Sequence, residues 1–309
     1  MAQPEHVLLP EDLPAVQRSA DAASMEGQKS YLRWTRCRLY FVVGAAVAGT
    51  LTATADQGSG GRQSLIILSL IFFLMAFATE IVLLSSRPEE AWYHGRAVAE
   101  SAKTLAWKFA VCADPFPQSI STEEAERLLN RQLSDIVAES PLLADYSSTG
   151  TEQISDKMRA LRIDELHERK ESYLAGRIDD QRLWYSKSSK RNEKKSFQWR
   201  CVLLGLEVLG ASAALLLLVE ATSIEFGSVL AACVAAGGAW IEVKQYDNLA
   251  SAYALTATEL ALVRSAAGQV NEESDWSAYV SSAEQAISRE HTMWLARRMR
   301  TRLPRGNRS

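Results

Sequence analysis

The sequence predicts an all-α membrane protein with two transmembrane helical hairpins (four spans) and long cytoplasmic helices that form a bundle. Three observations lead to this fold class: four long apolar segments, short linkers that join them in pairs, and positive charge beside the ends of each pair. The net charge of the 309-residue chain is only −3, but charged and uncharged stretches are strongly segregated. A nucleic-acid-binding domain would be clearly basic, so we expect no nucleic-acid polymer as a partner.

Four apolar segments carry the prediction of membrane spans. A helix needs about 20 mostly apolar residues, in a range of roughly 17 to 25, to cross the hydrocarbon core of a bilayer. The predicted spans are residues 39–55, 65–84, 201–219 and 226–243. The alternative is a soluble protein with buried core helices. It would have to hide the stretch LIILSLIFFLMAF, which is apolar on all sides, in a chain of moderate size.

The linkers and their charges predict the topology. Nine residues (56–64) join the first pair of spans and six residues (220–225) join the second, so each pair forms a hairpin. Lysine and arginine flank the open end of each hairpin, opposite its linker. The linkers themselves carry only Arg62 as a base. By the positive-inside rule, both termini and the segment between the hairpins are cytoplasmic. The first 16 residues do not resemble a secretory signal. We therefore expect a multi-pass protein of the inner membrane, in contact with the lipid bilayer.

A similar short sequence motif occurs before each hairpin. Residues 29–37 read KSYLRWTRC and residues 195–201 read KSFQWRC. Tryptophan and arginine at the end of a span hold it at the headgroup level. The matched order favours an internal duplication over independent convergence, and it predicts four interface anchors: Trp34, Arg36, Trp199 and Arg200.

The remaining chain predicts further helices. One covers residues 89–111, an amphipathic helix runs from Glu123 to about residue 140, and Pro141 with residues 146–151 marks a boundary between units. From Glu152 to Trp199, interleaved charges predict one long helix. The resulting organisation is an N-terminal tail (1–25), a first unit (26–115), a connector with an amphipathic helix (116–151), a second unit (152–300) and a basic tail (301–309).

Two of the carboxylates inside the apolar segments are candidate pore residues, Glu80 and Glu207, each about one turn from the predicted cytoplasmic end. Intramembrane carboxylates usually face a bundle interior or a water-filled cavity. In an oligomer, two carboxylates at one depth would form an acidic ring that favours cations. The alternative is that both lie at the interface, in water or paired with Arg87, Arg96 or Arg200.

Small residues at helical spacing form candidate packing strips, which suit close contact between helices of different copies or within one hairpin. Their members are Gly44, Ala48, Gly49, Gly210, Ala211, Ala214, Ala231 and Ala235. The sequence offers no catalytic constellation: the four histidines are scattered, and the four cysteines have no metal-ligand spacing. We therefore expect a protein that is not an enzyme and binds no metal or cofactor.

Three segments resemble the SLATT family, the two-transmembrane effector domains of bacterial conflict systems that use nucleotide second messengers. They are residues 169–199 (RKESYLAGRIDDQRLWYSKSSKRNEKKSFQW), residues 92–109 (WYHGRAVAESAKTLAWKF) and residues 286–298 (AISREHTMWLARR). The resemblance covers most of the chain as two tandem units.

The resemblance implies an effector of a conflict or anti-phage system. Such a protein would oligomerise and form a pore, or otherwise permeabilise the inner membrane, when a cytoplasmic sensor protein or nucleotide second messenger triggers it. No sensor domain is recognised in the sequence, so we expect a partner to supply the trigger or the signal to bind the helices directly. Two alternatives remain: a regulated ion channel or transporter without toxicity, and a non-conducting scaffold that recruits a cytoplasmic partner.

Overall fold

The computed structural model describes residues 7–139, 150–222 and 225–300, with side chains as far as Ser288. Within these ranges the chain is helical and contains no β-strand, which confirms the predicted all-α class. The predicted boundary at Pro141 and the basic tail 301–309 lie outside the described residues.

The described residues form ten α-helices. They are α1 (Ala15–Thr54), α2 (Gly60–Ser86), α3 (Pro88–Ala110), α4 (Thr122–Ala138), α5 (Asp156–Ile163), α6 (Leu166–Tyr173), α7 (Asp180–Leu218), α8 (Gly227–Lys244), α9 (Tyr246–Ala266) and α10 (Glu273–Arg300). A π-helical turn at Leu174–Asp179 joins α6 to α7. Short 3-10 turns lie at Pro10–Asp12 and Ala267–Gln269.

Four helical segments in the described chain are long and apolar enough to cross a membrane, and each overlaps one predicted span. The predicted limits agree with the helices closely: α1 ends at Thr54, α7 ends at Leu218 and α8 begins at Gly227. The first linker contains a turn at residues 57–58, as its glycine residues predict. Ser59 caps α2 by accepting a hydrogen bond from the backbone N–H of Arg62.

The predicted helix between the hairpins, Glu152 to Trp199, is not continuous. Its first part is two short helices, α5 and α6, separated at Asp164, whose backbone is extended with ψ of 160°. The turn frees the Asp164 carbonyl, which accepts a hydrogen bond from Nε of Arg169 at 3.0 Å. In an uninterrupted helix that carbonyl would accept from a backbone N–H four residues later. At this point a hydrogen bond from the buried Arg169 side chain replaces one backbone hydrogen bond of the helix.

Each hairpin is followed by the same kind of joint. Arg87, with φ of 39°, is the single residue between α2 and α3. Gln245, with φ of 51°, is the single residue between α8 and α9. A residue other than glycine is uncommon in this left-handed region. Its occurrence at equivalent places after both hairpins supports the internal duplication.

The chain divides into two compact units. The first, the helical unit, comprises Met1–Gly27, Glu89–Ser189 and Ser251–Ser309. The second, the spanning unit, comprises Gln28–Pro88 and Lys190–Ala250. Each unit therefore draws on both halves of the sequence. The spanning unit holds the apolar parts of α1, α2, α7 and α8.

The core of the helical unit is aromatic. Trp107 and Trp276 pack edge-on against Tyr173, with ring centroids 5.7 Å and 5.6 Å apart respectively. Phe109 and Phe116 form a second edge-to-face pair. The amphipathic helix α4 begins at Thr122, one residue before the predicted start, and is capped by Ser121. It buries Leu129 and Leu133 among the side chains of its inner face.

Candidate functional site in the spanning unit

Small residues allow α1 and α2 to approach closely. Ala45 and Ala48 are each only 2% exposed. A Cβ on Gly44 would lie 3.1 Å from the ring of Phe72, so that ring occupies the space that the glycine leaves. A Cβ on Gly49 would meet no atom within 4 Å. Of the predicted strip, Gly44 thus packs within this hairpin and Ala48 is buried, whereas Gly49 meets no neighbouring atom.

The second hairpin uses glycine in the same way. A Cβ on Gly237 would lie 2.7 Å from Cδ2 of Leu203, and one on Gly210 would lie 3.9 Å from Cβ of Leu230. The other predicted packing residues of this hairpin are exposed on the surface of the described chain: Ala211, Ala214, Ala231 and Ala235. These four alanines face away from the contact between α7 and α8, where lipid or another chain would meet them.

The two hairpins form one bundle because α1 contacts α8. The hydroxyls of Thr50 and Ser228 are 2.8 Å apart, near the linker end of the spans. At the opposite end, the guanidinium of Arg36 lies over the ring of Trp240, 5.1 Å from the centroid. Polar and cation–π contacts therefore join the helices at both ends of an otherwise apolar interface.

The two intramembrane carboxylates have different surroundings. Glu80 accepts a hydrogen bond from Arg38 at 2.5 Å, and both side chains are partly exposed. This arginine is on the other helix of the same hairpin and was not among the partners that the sequence suggested. Glu207 is exposed on α7, and among the described residues no ion pair neutralises it. Of the two carboxylates, Glu207 is the one without a basic partner in the described part of the chain.

The outer surface of the bundle consists of large apolar side chains. Phe77 is 65% exposed and Leu218 is 79% exposed, and Phe73, Leu74 and Leu204 behave similarly. A contiguous surface of this kind on a water-soluble protein would mark a binding interface or cause aggregation. On four helices of spanning length it is the surface expected to contact lipid acyl chains.

The predicted interface anchors lie at one end of the bundle. Arg200 forms an ion pair with Asp247, which also accepts a hydrogen bond from the Ser196 hydroxyl at 2.6 Å. The hydrogen bond from Ser196, followed by that from Arg200, lowers the pKa of the Asp247 carboxyl. Trp34 and Trp199 are half-buried, and the guanidinium of Arg33 lies 5.4 Å from the Trp34 ring centroid.

A cavity of about 540 Å³ lies beside these anchors. It is a partly open cavity between α1, Trp199 of α7, and α8 with the first residue of α9. Its lining residues are Arg36, Leu39, Tyr40, Val43, Trp199, Cys233, Ala236, Gly237, Trp240 and Tyr246. Two of the predicted anchors, Arg36 and Trp199, therefore form part of a cavity wall, which their sequence positions alone did not indicate.

The helical unit contains a buried charge network that the sequence analysis missed. Arg177 is fully buried and donates to both oxygens of Glu284, at 3.0 Å and 2.8 Å. Tyr173 and Thr104 donate to the same carboxylate at 2.9 Å and 2.8 Å. Desolvation, with the Glu284 charge adding to it, raises the pKa of Tyr173 well above its ordinary value, so its hydroxyl stays protonated as a donor. Desolvation and the nearby Arg177 lower the pKa of Lys103.

Two further arginines form hydrogen bonds that connect the segment around the break at Asp164 to the end of α3 and the residues after it. Arg162 donates to the backbone carbonyls of Phe109 and Phe116, at 3.0 Å and 2.9 Å, and Arg169 donates to that of Val111 at 3.0 Å and pairs with Glu273. A signal for these residues does exist in the sequence. Arg162, Arg169 and Arg177 are seven and eight residues apart, a spacing that would place them on one face of the continuous helix that the sequence predicts.

Comparison with protein families gives two matches. The family model described as SMODS and SLOG-associating 2TM effector domain 3 matches residues 14–170, and the model described as SMODS and SLOG-associating 2TM effector domain 1 matches residues 173–294. The first match includes residues 116–151, which the sequence analysis treats as a connector. No curated protein and no solved structure matches the chain.

Each matched stretch contains one helical hairpin, α1 with α2 in the first and α7 with α8 in the second. The resemblance found in the sequence is therefore confirmed. The chain belongs to the SLATT family and carries two of its two-transmembrane effector domains in tandem.

Proposed function

We propose that this protein is a membrane effector of a bacterial conflict or anti-phage system. It assembles as a homo-oligomer in the inner membrane and permeabilises that membrane when a cytoplasmic sensor protein or a nucleotide signal triggers it. The observation that carries the proposal is the tandem pair of effector domains, whose four apolar helices form a single bundle. In this proposal the chain acts on the membrane physically and has no enzymatic role.

The charge distribution supports a cytoplasmic position for both termini. Arg33, Arg36 and Arg38 precede the first span, and Lys194, Lys195 and Arg200 precede the second. The linkers at the other end contain one base, Arg62. Since basic residues are retained on the cytoplasmic side, the buried charge network and the interface anchors would both lie on the side where a signal arises.

The surface of α7 supports assembly. Glu207, Ala211 and Ala214 share one helical face and are all exposed. A carboxylate facing acyl chains is costly, whereas small residues favour close contact between helices. Contact between copies through this face would remove Glu207 from lipid and place it in the interior of the assembly. There it would attract cations.

The proposal is tested by following membrane potential with a fluorescent dye in cells that express the full chain together with the products of its neighbouring genes. We expect depolarisation and loss of viability once the trigger is present. Glu207→Gln should reduce the cation preference of the conductance in planar bilayers. Glu220→Gln is the matched control, because it removes the same charge from the linker outside the spans.

Other outcomes identify the alternatives. Depolarisation without loss of viability would indicate a regulated channel. Unchanged potential under triggered conditions would overturn the proposal and favour a scaffold, particularly if a cytoplasmic protein co-purifies with the membrane-bound chain.

A further inference from the structure

The cavity beside the interface anchors lies across the end of the predicted spans. Arg36 and Trp199 come before the apolar segments of α1 and α7, and Tyr246 comes after that of α8. Leu39, Val43 and Ala236 lie inside those segments. One end of the cavity is therefore at the headgroup level, and the other end is within the hydrocarbon region.

The chemistry of the wall changes along the same direction. Aromatic rings and Arg36, which lies over Trp240, line the headgroup end. Lys244 is outside the wall, with its Nζ 5.8 Å from the Trp240 ring centroid. Nζ of Lys195 lies 5.9 Å from the Tyr246 ring centroid. The inner end is formed by aliphatic side chains and by small residues of α8. No lining residue in the described chain is acidic.

Arg36 differs from the neighbouring arginines in its partners. Arg38 is paired with Glu80, and Arg200 is paired with Asp247. In the part of the chain that the structure describes, Arg36 has the Trp240 ring as its contact and forms no ion pair with a carboxylate. Its positive charge at the mouth of the cavity is therefore not neutralised by the protein.

We propose that this cavity binds one anionic phospholipid of the surrounding leaflet. Arg36 binds the phosphate, the ammonium groups of Lys195 and Lys244 add positive potential around the headgroup, and an acyl chain lies along Leu39, Val43 and Ala236. Basic sites between transmembrane helices on the cytoplasmic side suit anionic headgroups. The volume is in the range of specific ligand sites, roughly 300 to 1,000 Å³, and holds a headgroup with the first part of a chain. A soluble anion would leave the apolar end unfilled.

The test is native mass spectrometry of the purified full-length chain in a neutral detergent. The protein is incubated with equal amounts of phosphatidylglycerol and phosphatidylcholine that carry identical acyl chains. We expect about ten-fold greater retention of phosphatidylglycerol, the size of effect that one charge-assisted contact gives. Arg36→Gln should abolish that preference. Arg33→Gln is the matched control, because it removes the same charge three residues away, outside the cavity, and should leave the preference intact.

A second variant tests the cavity independently of charge. Ala236→Phe fills the inner end and should lower retention of both lipids, while thermal unfolding confirms that each variant remains folded. Equal retention of the two lipids by the unaltered chain would overturn the proposal, as would equal effects of the Arg33 and Arg36 substitutions. Displacement of phosphatidylglycerol by millimolar glycerol phosphate or inorganic phosphate would also overturn it, because the site would then be one for soluble phosphates.

Discussion

The helical unit and the spanning unit differ in where most of their large apolar side chains lie. In the helical unit, large side chains such as Trp107 and Trp276 are almost completely buried, and so is the charged Arg177. In the spanning unit, small residues such as Ala45 and Ala48 are buried, whereas Phe77 and other large apolar residues point outward.

The difference follows from the solvent of each unit. In water, burial of aromatic and aliphatic area drives folding, so the largest apolar side chains lie inside. Beside acyl chains, which are as apolar as leucine, that gain is absent, and helices associate through close backbone packing at small residues. The arrangement of the spanning unit therefore supports its placement in lipid independently of the length and hydropathy of its helices.

The largest effect is expected from breaking the buried ion pair of the helical unit. Arg177→Met would leave the Glu284 carboxylate buried with only Tyr173 and Thr104 as donors. Removing one partner of such a pair costs about 3 to 5 kcal/mol. Thermal unfolding of the full chain in detergent, followed by circular dichroism, should show a large drop in Tm.

Two further variants define this prediction. The double substitution Arg177→Met with Glu284→Leu should recover much of the loss, since an apolar pair of similar volume replaces the ion pair. Arg264→Met breaks the partly exposed pair with Asp179 and should change Tm little. Equal effects of Arg177→Met and Arg264→Met would show that the buried network does not stabilise the unit more than a surface pair does.

A smaller effect is expected from glycine substitutions in α1. Gly44→Leu would force the Phe72 ring from its position, and overpacking of this kind costs about 1 to 3 kcal/mol. Gly49→Leu places the same side chain on the same helix where no atom lies within 4 Å, and leucine favours the helix over glycine. Resistance to heat in detergent should therefore fall for the first variant and hold or rise for the second.

Gly49→Leu also tests whether α1 contributes to contacts between copies. If the substitution leaves stability unchanged but reduces the oligomer in analytical ultracentrifugation, Gly49 lies at a contact between protomers. If neither property changes, this part of α1 faces lipid. A loss of stability as large as that of Gly44→Leu would contradict the packing of the hairpin.

The sequence predicted the spans, the hairpins and the start of α4 because these depend on local properties: hydropathy over about 20 residues, linker length and a capping serine. The break at Asp164 was not predictable in this way. Charged residues in a helical pattern are usually solvated, and the burial of Arg169 depends on Val111 and Glu273, which are 58 and 104 residues away in the chain.

The contacts of the candidate residues in the spans were also not predictable from the sequence. Small residues at helical spacing indicate that helices pack closely, but not which face packs within the chain. Gly44 packs against Phe72 of the first hairpin and Ala48 is buried, whereas Ala211 and Ala214 are exposed. The partner of Glu80 was not identified because Arg38 is 42 residues away and on the opposite helix. A pairwise contact across a hairpin depends on the register of its two helices, which hydropathy does not define.

The smallest effect is expected at that pair. Arg38 and Glu80 are 46% and 40% exposed, so their ion pair should contribute about 0.2 to 1 kcal/mol if water reaches it. A double-mutant cycle with Arg38→Gln and Glu80→Gln, measured by unfolding in detergent, isolates the coupling between them. The same cycle in lipid nanodiscs measures the pair in a bilayer.

A coupling within that range in both media would place the pair in the hydrated headgroup layer. A coupling several-fold larger in nanodiscs would show that the bilayer desolvates the pair, because loss of either partner then leaves a charge in a medium of low polarity. In that case Arg38 lies within the hydrocarbon region, and the first span begins before residue 39.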